Sequence, residues 1–346
     1  MKPSPPTGRP TFFEGGWVLL GAVALLLAVL IWALTPAVLR MVDRPPGDGR
    51  NPATYGFNLD TPRVPEAADI RTAMLHRDMV PVLDAPPGIL QGSEVVAAVD
   101  SRNQYLVSSD AVIGVTIDGH HRAYPIRMLH IHEVVHDELA GVPIAVTWHW
   151  PSASPRVFDR RSNGEVLRLG VSGLVAGGTQ LLYPRNNDEM PPPLLSQWSG
   201  HAVTGPDRTL TSVPLRLVSW ADWMESHPDT TVIAEDVNLE KRYDKGDPNS
   251  YYRSRGLLFE LPGPPPGNAP KAPVAILSVG SETMLLAANA VQAADGPLEV
   301  MIGGHQVIAQ LGDRPPRIEV LAPPEVQVRQ GLWHAAAAMD AAATQR

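Results

Sequence analysis

Residues 111–155 read AVIGVTIDGHHRAYPIRMLHIHEVVHDELAGVPIAVTWHWPSASP, and they carry most of the signals that decide the fold. The first seven residues are apolar and rich in β-branched side chains, which favours a strand. Asp118 and Gly119 follow as a tight-turn signal, and a second extended run leads away from the turn. The opening of the stretch therefore predicts a β-hairpin.

The middle of the same stretch has the signature of a short helix. Pro125 suits the first helical turn, residues 126–139 are predicted to be helical, and Gly141 ends that helix. Residues 142–148, VPIAVTW, then predict another strand. The mixture indicates an α+β fold in which strands dominate and helices are short.

The composition limits the classes of function. The 346 residues, 44% hydrophobic and 18% charged, can bury a sizeable core in one or two domains. The net charge of −8 provides no electrostatic footprint for nucleic acid, so we expect no nucleic-acid partner. The chain has no cysteine, which excludes disulfides, thiolate nucleophiles and cysteine-ligated metals.

The N-terminal region predicts one membrane anchor. Residues 15–34 run for twenty positions without a charge, and a helix of that length spans about 30 Å, the thickness of a bilayer core. Trp17 and Trp32 lie near its ends, as interfacial aromatics do. We expect a retained transmembrane helix rather than a cleaved signal peptide, preceded by a polar tail over residues 1–14 and followed by an extended tether over residues 35–56.

The rest of the chain is predicted to hold two degenerate repeats. The first copy covers residues 57–260, a Pro-rich linker covers residues 261–273, and the second copy covers residues 274–346. Residues 275–286 repeat the strand, turn, strand pattern of residues 113–124, and each hairpin precedes a short helical stretch. The predicted fold is thus a strand-rich α+β domain of two repeats behind one transmembrane helix.

A metallopeptidase motif lies inside the central stretch. His132, Glu133 and His136 spell H-E-x-x-H, in which two histidines one helical turn apart ligate zinc and the glutamate activates water. The longer metzincin pattern fails, because Leu139 stands where glycine is needed and no third histidine follows. A zinc metallopeptidase with Glu133 as its catalytic residue is therefore kept as an alternative.

Six motifs follow one another in a fixed order: AYPIRMLHIHEVVHDELAGVPIAVTW, VFDRR, LRLGVSGL, LSQWSGHAVTG, WADWMESHPDT and YYRSRGLLFEL. In this order they resemble the bacterial family called domain of unknown function 3179, over roughly residues 57–346. The resemblance implies an exported or membrane-tethered domain with an internal repeat. It implies no particular reaction.

The chain departs from the pattern of that family at its polar positions. Related sequences read T-Y-C-P-L-C-G where residues 147–153 read TWHWPSA, so His149 and Ser152 stand in place of cysteines. The same comparison places His136 where relatives have asparagine and His201 where they have an acidic residue. A dithiol redox role is impossible for this chain, and histidine is enriched where related chains are polar.

These histidines lead to the main functional hypothesis. His132 and His149 are the expected metal-ligand pair, with His136 and His201 as completing ligands, and imidazole ligands suit copper or zinc. The sequence thus predicts a membrane-anchored metal-binding accessory protein, with its soluble domain in the periplasm or outside the cell and an envelope protein as a partner. Besides the zinc peptidase, a structural interaction module without catalysis is the remaining alternative, because a helix histidine commonly bonds a neighbouring carbonyl.

Overall fold

The structure is a computed structural model, and it describes residues 12–42, 45–64, 69–97, 105–186, 190–243, 248–259 and 268–339. The chain divides into two units, Met1–Pro45 and Pro46–Arg346. Most of the predicted tail over residues 1–14 and most of the predicted linker over residues 261–273 lie outside the described residues.

The first unit contains one long helix, α1 (Phe12–Val42). Its segment Gly16–Thr35 is long and apolar enough to cross a membrane, although a signal sequence near an N-terminus meets the same test. The prediction of an apolar N-terminal helix over residues 15–34 is therefore confirmed as a candidate span.

The second unit consists of short strands joined by shorter helices. Its strands are β1 (Arg71–Thr72), β2 (Ile89–Gln91), β3 (Ala111–Ile117), β4 (His120–Pro125), β5 (Val134–Leu139), β6 (Val142–His149), β7 (Ser154–Asp159), β8 (Arg161–Ser162), β9 (Glu165–Val166), β10 (Leu169–Ala176), β11 (Thr179–Pro184), β12 (Leu195–Ser196), β13 (Thr211–Ser212), β14 (Leu215–Ser219), β15 (Thr231–Ile233), β16 (Pro273–Val279), β17 (Glu282–Ala287), β18 (Leu298–Ile302), β19 (His305–Gly312), β20 (Arg317–Leu321) and β21 (Gln327–Leu332). Its helices are α2 (Gly92–Ala97), α3 (Ile126–His132), α4 (Trp220–Ser226), α5 (Glu240–Tyr243), α6 (Asn249–Arg253), α7 (Ala288–Gln292) and α8 (Trp333–Met339).

Five sheets are arranged like the blades of a five-bladed propeller, and β8 and β9 form a separate ribbon. The strand orders are β1-β10-β11-β12, β13-β7-β6-β5, β14-β3-β4-β15-β2, β17-β16-β21 and β18-β19-β20. Neighbouring strands are antiparallel except for β4 and β15. The strand-rich prediction is confirmed, whereas the propeller-like arrangement was not foreseen.

Two groups of strands share one topology. The order β14-β3-β4 in one sheet matches β21-β16-β17 in another, and each hairpin leads into a short helix, α3 or α7. The order β5-β6-β7 likewise matches β18-β19-β20. Helix α4 directly follows β14, and helix α8 directly follows its counterpart β21. The two stretches compared in the sequence therefore have the same strand order.

The predicted helix over residues 126–139 is wrong in its second half. Helix α3 ends at His132, Glu133 adopts a left-handed conformation with φ 54°, and the chain continues as β5. Ala140 and Gly141 both have positive φ and join β5 to β6 as a two-residue hairpin turn. Gly141 is therefore a turn residue rather than a helix end, and pairing with β6 decides the conformation of Val134 and its neighbours.

One further boundary differs from its prediction. Residues Pro52–Tyr55 form a 3-10 helix, and Tyr55 is fully buried, so the end of the predicted tether belongs to the domain. Asn163 and Gly164, both with positive φ, form the turn between β8 and β9. Strand β7 pairs with β6, and β10 pairs with β11.

The largest apolar core lies between α3 and the sheets that contain β3 and β6. Met128, Leu129, Ile144 and Trp148 are inaccessible to solvent there, and the side chains of α3 pack on the two sheets. This packing fixes the end of α3 relative to the end of β6. Those two ends supply the residues of the candidate site.

Candidate functional site

A cavity of about 310 Å³ lies beside the junction of α3 with β5 and the end of β6. Its ionisable wall residues are Glu133 and His149, and Gln180 adds an amide. The remaining wall is mainly apolar or backbone: Thr72, Ala73, Met74, Trp150, Pro151, Val171, Gly173, Leu174, Val175, Leu258 and Phe259. A concave, largely apolar site with a few converging polar groups is the usual form of a small-molecule pocket.

Glu133 reaches the cavity because the chain changes direction at this residue. Its backbone N–H donates to the carbonyl of Leu129 at 2.9 Å, which closes α3, and its own carbonyl accepts from the N–H of Trp148 at 2.8 Å. The left-handed conformation is sparsely populated for residues other than glycine. Residues kept in such conformations concentrate at functional sites.

The carboxyl group of Glu133 is almost inaccessible to solvent, with 3% relative exposure. Burial raises its pKa to about 8 from an ordinary 4.5, and a hydrogen bond from the Gln180 amide only partly opposes this effect. The side chain is therefore protonated at neutral pH. It provides an O–H donor and a carbonyl acceptor in place of a negative charge.

A bulge between β10 and β11 shapes the opposite wall. Gly173 lies in this irregular segment with φ 77°, and its carbonyl accepts from the N–H groups of Ala73 and Met74 at 2.8 and 3.1 Å. A Cβ atom at Gly173 would come within 2.9 Å of the carbonyl oxygen of His76. Only glycine combines this backbone angle with this close approach.

His149 ends β6 and is buried, and its ring stacks against Phe259 with centroids 6.2 Å apart and an interplanar angle of 15°. Burial, with a smaller contribution from the nearby His334, lowers the pKa of His149 to about 3 from 6.5. The imidazole is therefore neutral at every physiological pH.

A chain of hydrogen bonds decides which nitrogen of His149 carries the proton. The Gln197 Nε2 atom donates to the carbonyl of Ser154 at 3.0 Å and to Thr147 Oγ1 at 3.0 Å. A carbonyl can only accept, so Gln197 Oε1 faces Ser154 Oγ at 3.1 Å and accepts a hydrogen bond from the Ser154 hydroxyl. Ser154 Oγ must then accept from Ser152 Oγ at 2.8 Å, and Ser152 Oγ must accept from His149 Nδ1 at 2.7 Å. The ring is protonated at Nδ1, and Nε2 retains its lone pair.

The cavity thus joins a proton donor with a proton acceptor, and neither carries a charge. Glu133 is a carboxylic acid whose pKa lies close to physiological pH, and His149 is a base that stays unprotonated. Titratable groups whose environments shift their pKa values strongly are typical of acid–base sites.

The other histidines of the central stretch have different partners. His132 Nδ1 donates to the carbonyl of Pro81 at 2.5 Å, and its Nε2 accepts from the Tyr243 hydroxyl at 2.7 Å. His136 Nε2 accepts from the N–H of Leu169 at 3.0 Å, so its Nδ1 donates to Asp84 at 3.1 Å. Both rings use both nitrogens to connect separate segments of the chain.

The predicted metal ligands are distributed over separate places. His201 is exposed, contacts Thr209 Oγ1 at 2.9 Å and lines a different, larger cavity. The helical turn that H-E-x-x-H requires is absent, because α3 ends at His132. Within the part of the chain that the structure describes, no group of three or more histidine, aspartate or glutamate side chains could hold a metal ion.

The sequence singled out Glu133 and His149 but not their partners. Gln180 lies 47 residues beyond Glu133, and Gln197 lies 43 residues beyond Ser154. No local pattern marks either glutamine, since each reaches the site through sheet pairing of β11 and the turn after β12. Among the hydrogen-bond partners at the site, Ser152 is close in sequence to the residue that it contacts, three positions after His149.

The comparisons with known proteins concern the same region. The family model described as "Protein of unknown function (DUF3179)" matches residues 77–327, which is more than half of the chain and includes Glu133, His149 and Gln180. No curated protein and no solved structure matches the chain. The family model confirms the resemblance of the motifs, and the chain therefore belongs to the DUF3179 family of proteins.

Proposed function

We propose that this protein is an acid–base enzyme that acts on a small uncharged molecule in the Glu133–His149 cavity. The observation that supports the proposal is the presence of two ionisable side chains, one a neutral acid and one a neutral base, on the wall of the same cavity. Such a pair can move a proton onto one atom of a substrate and remove a proton from another.

Each residue has one role in this proposal. Glu133 donates its proton toward an acceptor atom of the substrate, such as a carbonyl oxygen, and Gln180 orients the carboxyl group. His149 Nε2 accepts a proton from the substrate. Ser152 Oγ accepts a hydrogen bond from His149 Nδ1–H and so keeps the ring in place. The imidazolium and carboxylate formed in the step have opposite charges, so they stabilise each other in a cavity of low polarity.

The substrate class follows from the wall of the cavity. Neither ionisable wall residue is charged in the resting state, and apolar side chains make up most of the remainder. A charged ligand would lose its hydration without gaining an opposite charge, whereas a neutral molecule with a carbonyl and a neighbouring donor would satisfy both groups. The apolar helix α1 supports a membrane-anchored location, and we propose that the domain lies in the periplasm or outside the cell.

The full-length protein in detergent should accelerate exchange of carbon-bound hydrogen next to the carbonyl of small neutral hydroxyketones or amides, measured by proton NMR in D₂O with dihydroxyacetone and glycolamide as first probes. Glu133→Gln and His149→Ala should each reduce the exchange rate by about 100-fold or more, because each removes one proton-transfer group. Glutamine still donates a hydrogen bond, so probe binding should change much less.

The matched control for this experiment is Glu138→Gln, which neutralises an exposed glutamate on β5 outside the cavity. Its exchange rate should equal that of the wild type. Unchanged exchange in both site variants, or no acceleration by the wild type for either probe, would contradict the proposal.

The protonation of Glu133 makes stability depend on pH. Its folded pKa of about 8 exceeds the ordinary 4.5, so between these values the folded protein binds a proton that the unfolded chain releases. The contribution of Glu133 to the free energy of unfolding is fully present below pH 4.5. It falls by about 1.4 kcal/mol per pH unit as the pH rises toward 8. Urea unfolding measures the free energy of unfolding of both proteins. From about pH 5.5 to about pH 8.5, Glu133→Gln should become more stable relative to wild type by about 3 kcal/mol.

Histidines with lowered pKa values make the free energy of unfolding rise with pH, which is the opposite direction. They are present in both proteins, so their effect cancels when the two are compared. Glu138→Gln should show no comparable movement. A difference between Glu133→Gln and wild type that stays constant with pH would mean that Glu133 is already ionised in the folded protein.

A metal-binding role is the second candidate, and the protonation state of His149 favours it. Histidines that ligate metals usually donate their other ring N–H to a neighbouring group, as His149 Nδ1 does to Ser152. Glu133, once ionised, could provide an oxygen ligand from the same cavity. Copper and zinc are the metals that suit an imidazole ligand.

Elemental analysis of the full-length protein, loaded with copper or zinc and dialysed, tests this candidate. If the cavity holds the metal, His149→Ala should lose it, whereas His132→Ala should retain it, because both nitrogens of His132 already have protein partners. Equal metal content in wild type and His149→Ala would rule out the cavity as the metal site.

A further inference from the structure

A second and larger cavity, of about 940 Å³, lies among several of the sheets. Residues of β3, β7, β14, β16 and β21 contribute to its wall, together with the segment around Trp198. It shares no wall residue with the Glu133–His149 cavity among the residues that the structure describes. Its chemistry can therefore be considered separately.

The charge on this wall has one sign. Arg156, Arg216 and Arg329 line the cavity, and none of the described residues around it is aspartate or glutamate. The chain as a whole carries a net charge of −8, so a purely basic wall is opposite to the average of the protein. A cavity lined by one sign of charge attracts ligands of the opposite sign.

Arg216 has few compensating contacts within the described part of the chain. Its Nε atom is buried and has no hydrogen-bond partner in the described part of the chain, and its NH1 group reaches only Ser226 Oγ at 3.3 Å. No described carboxylate lies within 4.0 Å of its guanidinium, although Asp222 and Glu319 act on it from farther away. Burial lowers the pKa of Arg216, yet arginine stays protonated at physiological pH.

Arg156 is rigidly placed on the same wall. It is 3% exposed, and its guanidinium stacks over the Trp198 ring at 4.7 Å from the centroid. Its Nε donates to the carbonyl of Trp198 at 2.8 Å and its NH1 donates to the carbonyl of Pro155 at 2.9 Å. These contacts fix the plane of the guanidinium before any ligand arrives, which reduces the entropic cost of binding.

Hydroxyl groups add uncharged donors to the cavity. Thr116, Ser199, Ser212, Ser278 and Thr283 all line it. Guanidinium groups together with hydroxyls are the donors that recognise carboxylate and phosphate oxygens. We propose that this cavity binds a small anion with carboxylate or phosphate oxygens through Arg216 and Arg156, at a site distinct from the acid–base cavity.

Isothermal titration of the full-length protein in detergent at low salt, with inorganic phosphate and with citrate as separate probes, tests the proposal. At least one probe should bind at millimolar concentrations or below, and the preferred probe identifies the anion as phosphate-like or carboxylate-like. Arg216→Gln should weaken that binding by about tenfold or more, since a charge-assisted contact is lost. Binding should also weaken as ionic strength rises.

Arg161→Gln is the matched control, because it removes the same charge from an exposed arginine that pairs with Asp159 and does not line the cavity. It should leave affinity within about twofold of the wild type. Arg216→Lys retains the charge and should bind at an intermediate affinity, which separates loss of charge from loss of folding. Glu133→Gln should bind the anion normally, so this result is independent of the acid–base proposal.

The proposal is overturned if neither probe binds at low salt. It is also overturned if Arg161→Gln weakens binding as much as Arg216→Gln does, because the anion would then respond only to the overall charge of the protein.

Discussion

Glu133 and His149 lose their charges for the same physical reason: the fold removes both from water without giving either an oppositely charged partner. Burial raises the pKa of the carboxyl and lowers the pKa of the imidazole, so desolvation acts in opposite directions on an acid and a base. The rest of the site depends on this constraint. If water entered the cavity freely, Glu133 would ionise and the pair would no longer consist of a neutral donor and a neutral acceptor.

The fold buries these two side chains through contacts that are distant in sequence. The core beneath α3 fixes the turn that carries Glu133, and the bulge at Gly173 closes the opposite wall. The hydrogen-bond chain from His149 to Gln197 connects the end of β6 to the turn after β12. His132 and His136 contribute to the same rigidity, because each connects two further segments through both ring nitrogens.

Sequence reasoning succeeded where the signal was local. The hairpin of β3 and β4 and strand β6 follow from β-branched apolar runs and turn residues, and each was predicted close to its observed bounds. The helix over residues 126–139 was predicted wrongly in its second half, because pairing of Val134 with Thr147 outweighs helical periodicity. A zinc motif in the sequence pointed to Glu133, but the two histidines of that motif hydrogen-bond to other segments of the chain. Gln180 and the large basic cavity could not be predicted, since both arise from sheet packing.

The most direct test of the account is the protonation of His149 in the folded protein, measured by nitrogen-15 NMR of the histidine rings from about pH 5 to about pH 8. The Gln197 chain and the burial of the ring predict a neutral imidazole with the proton on Nδ1 and a lone pair on Nε2, unchanged across this range. Assignment of the signal would rest on its loss in His149→Ala. An imidazolium at the acidic end, or a proton on Nε2, would contradict the central claim that the cavity combines a neutral acid with a neutral base.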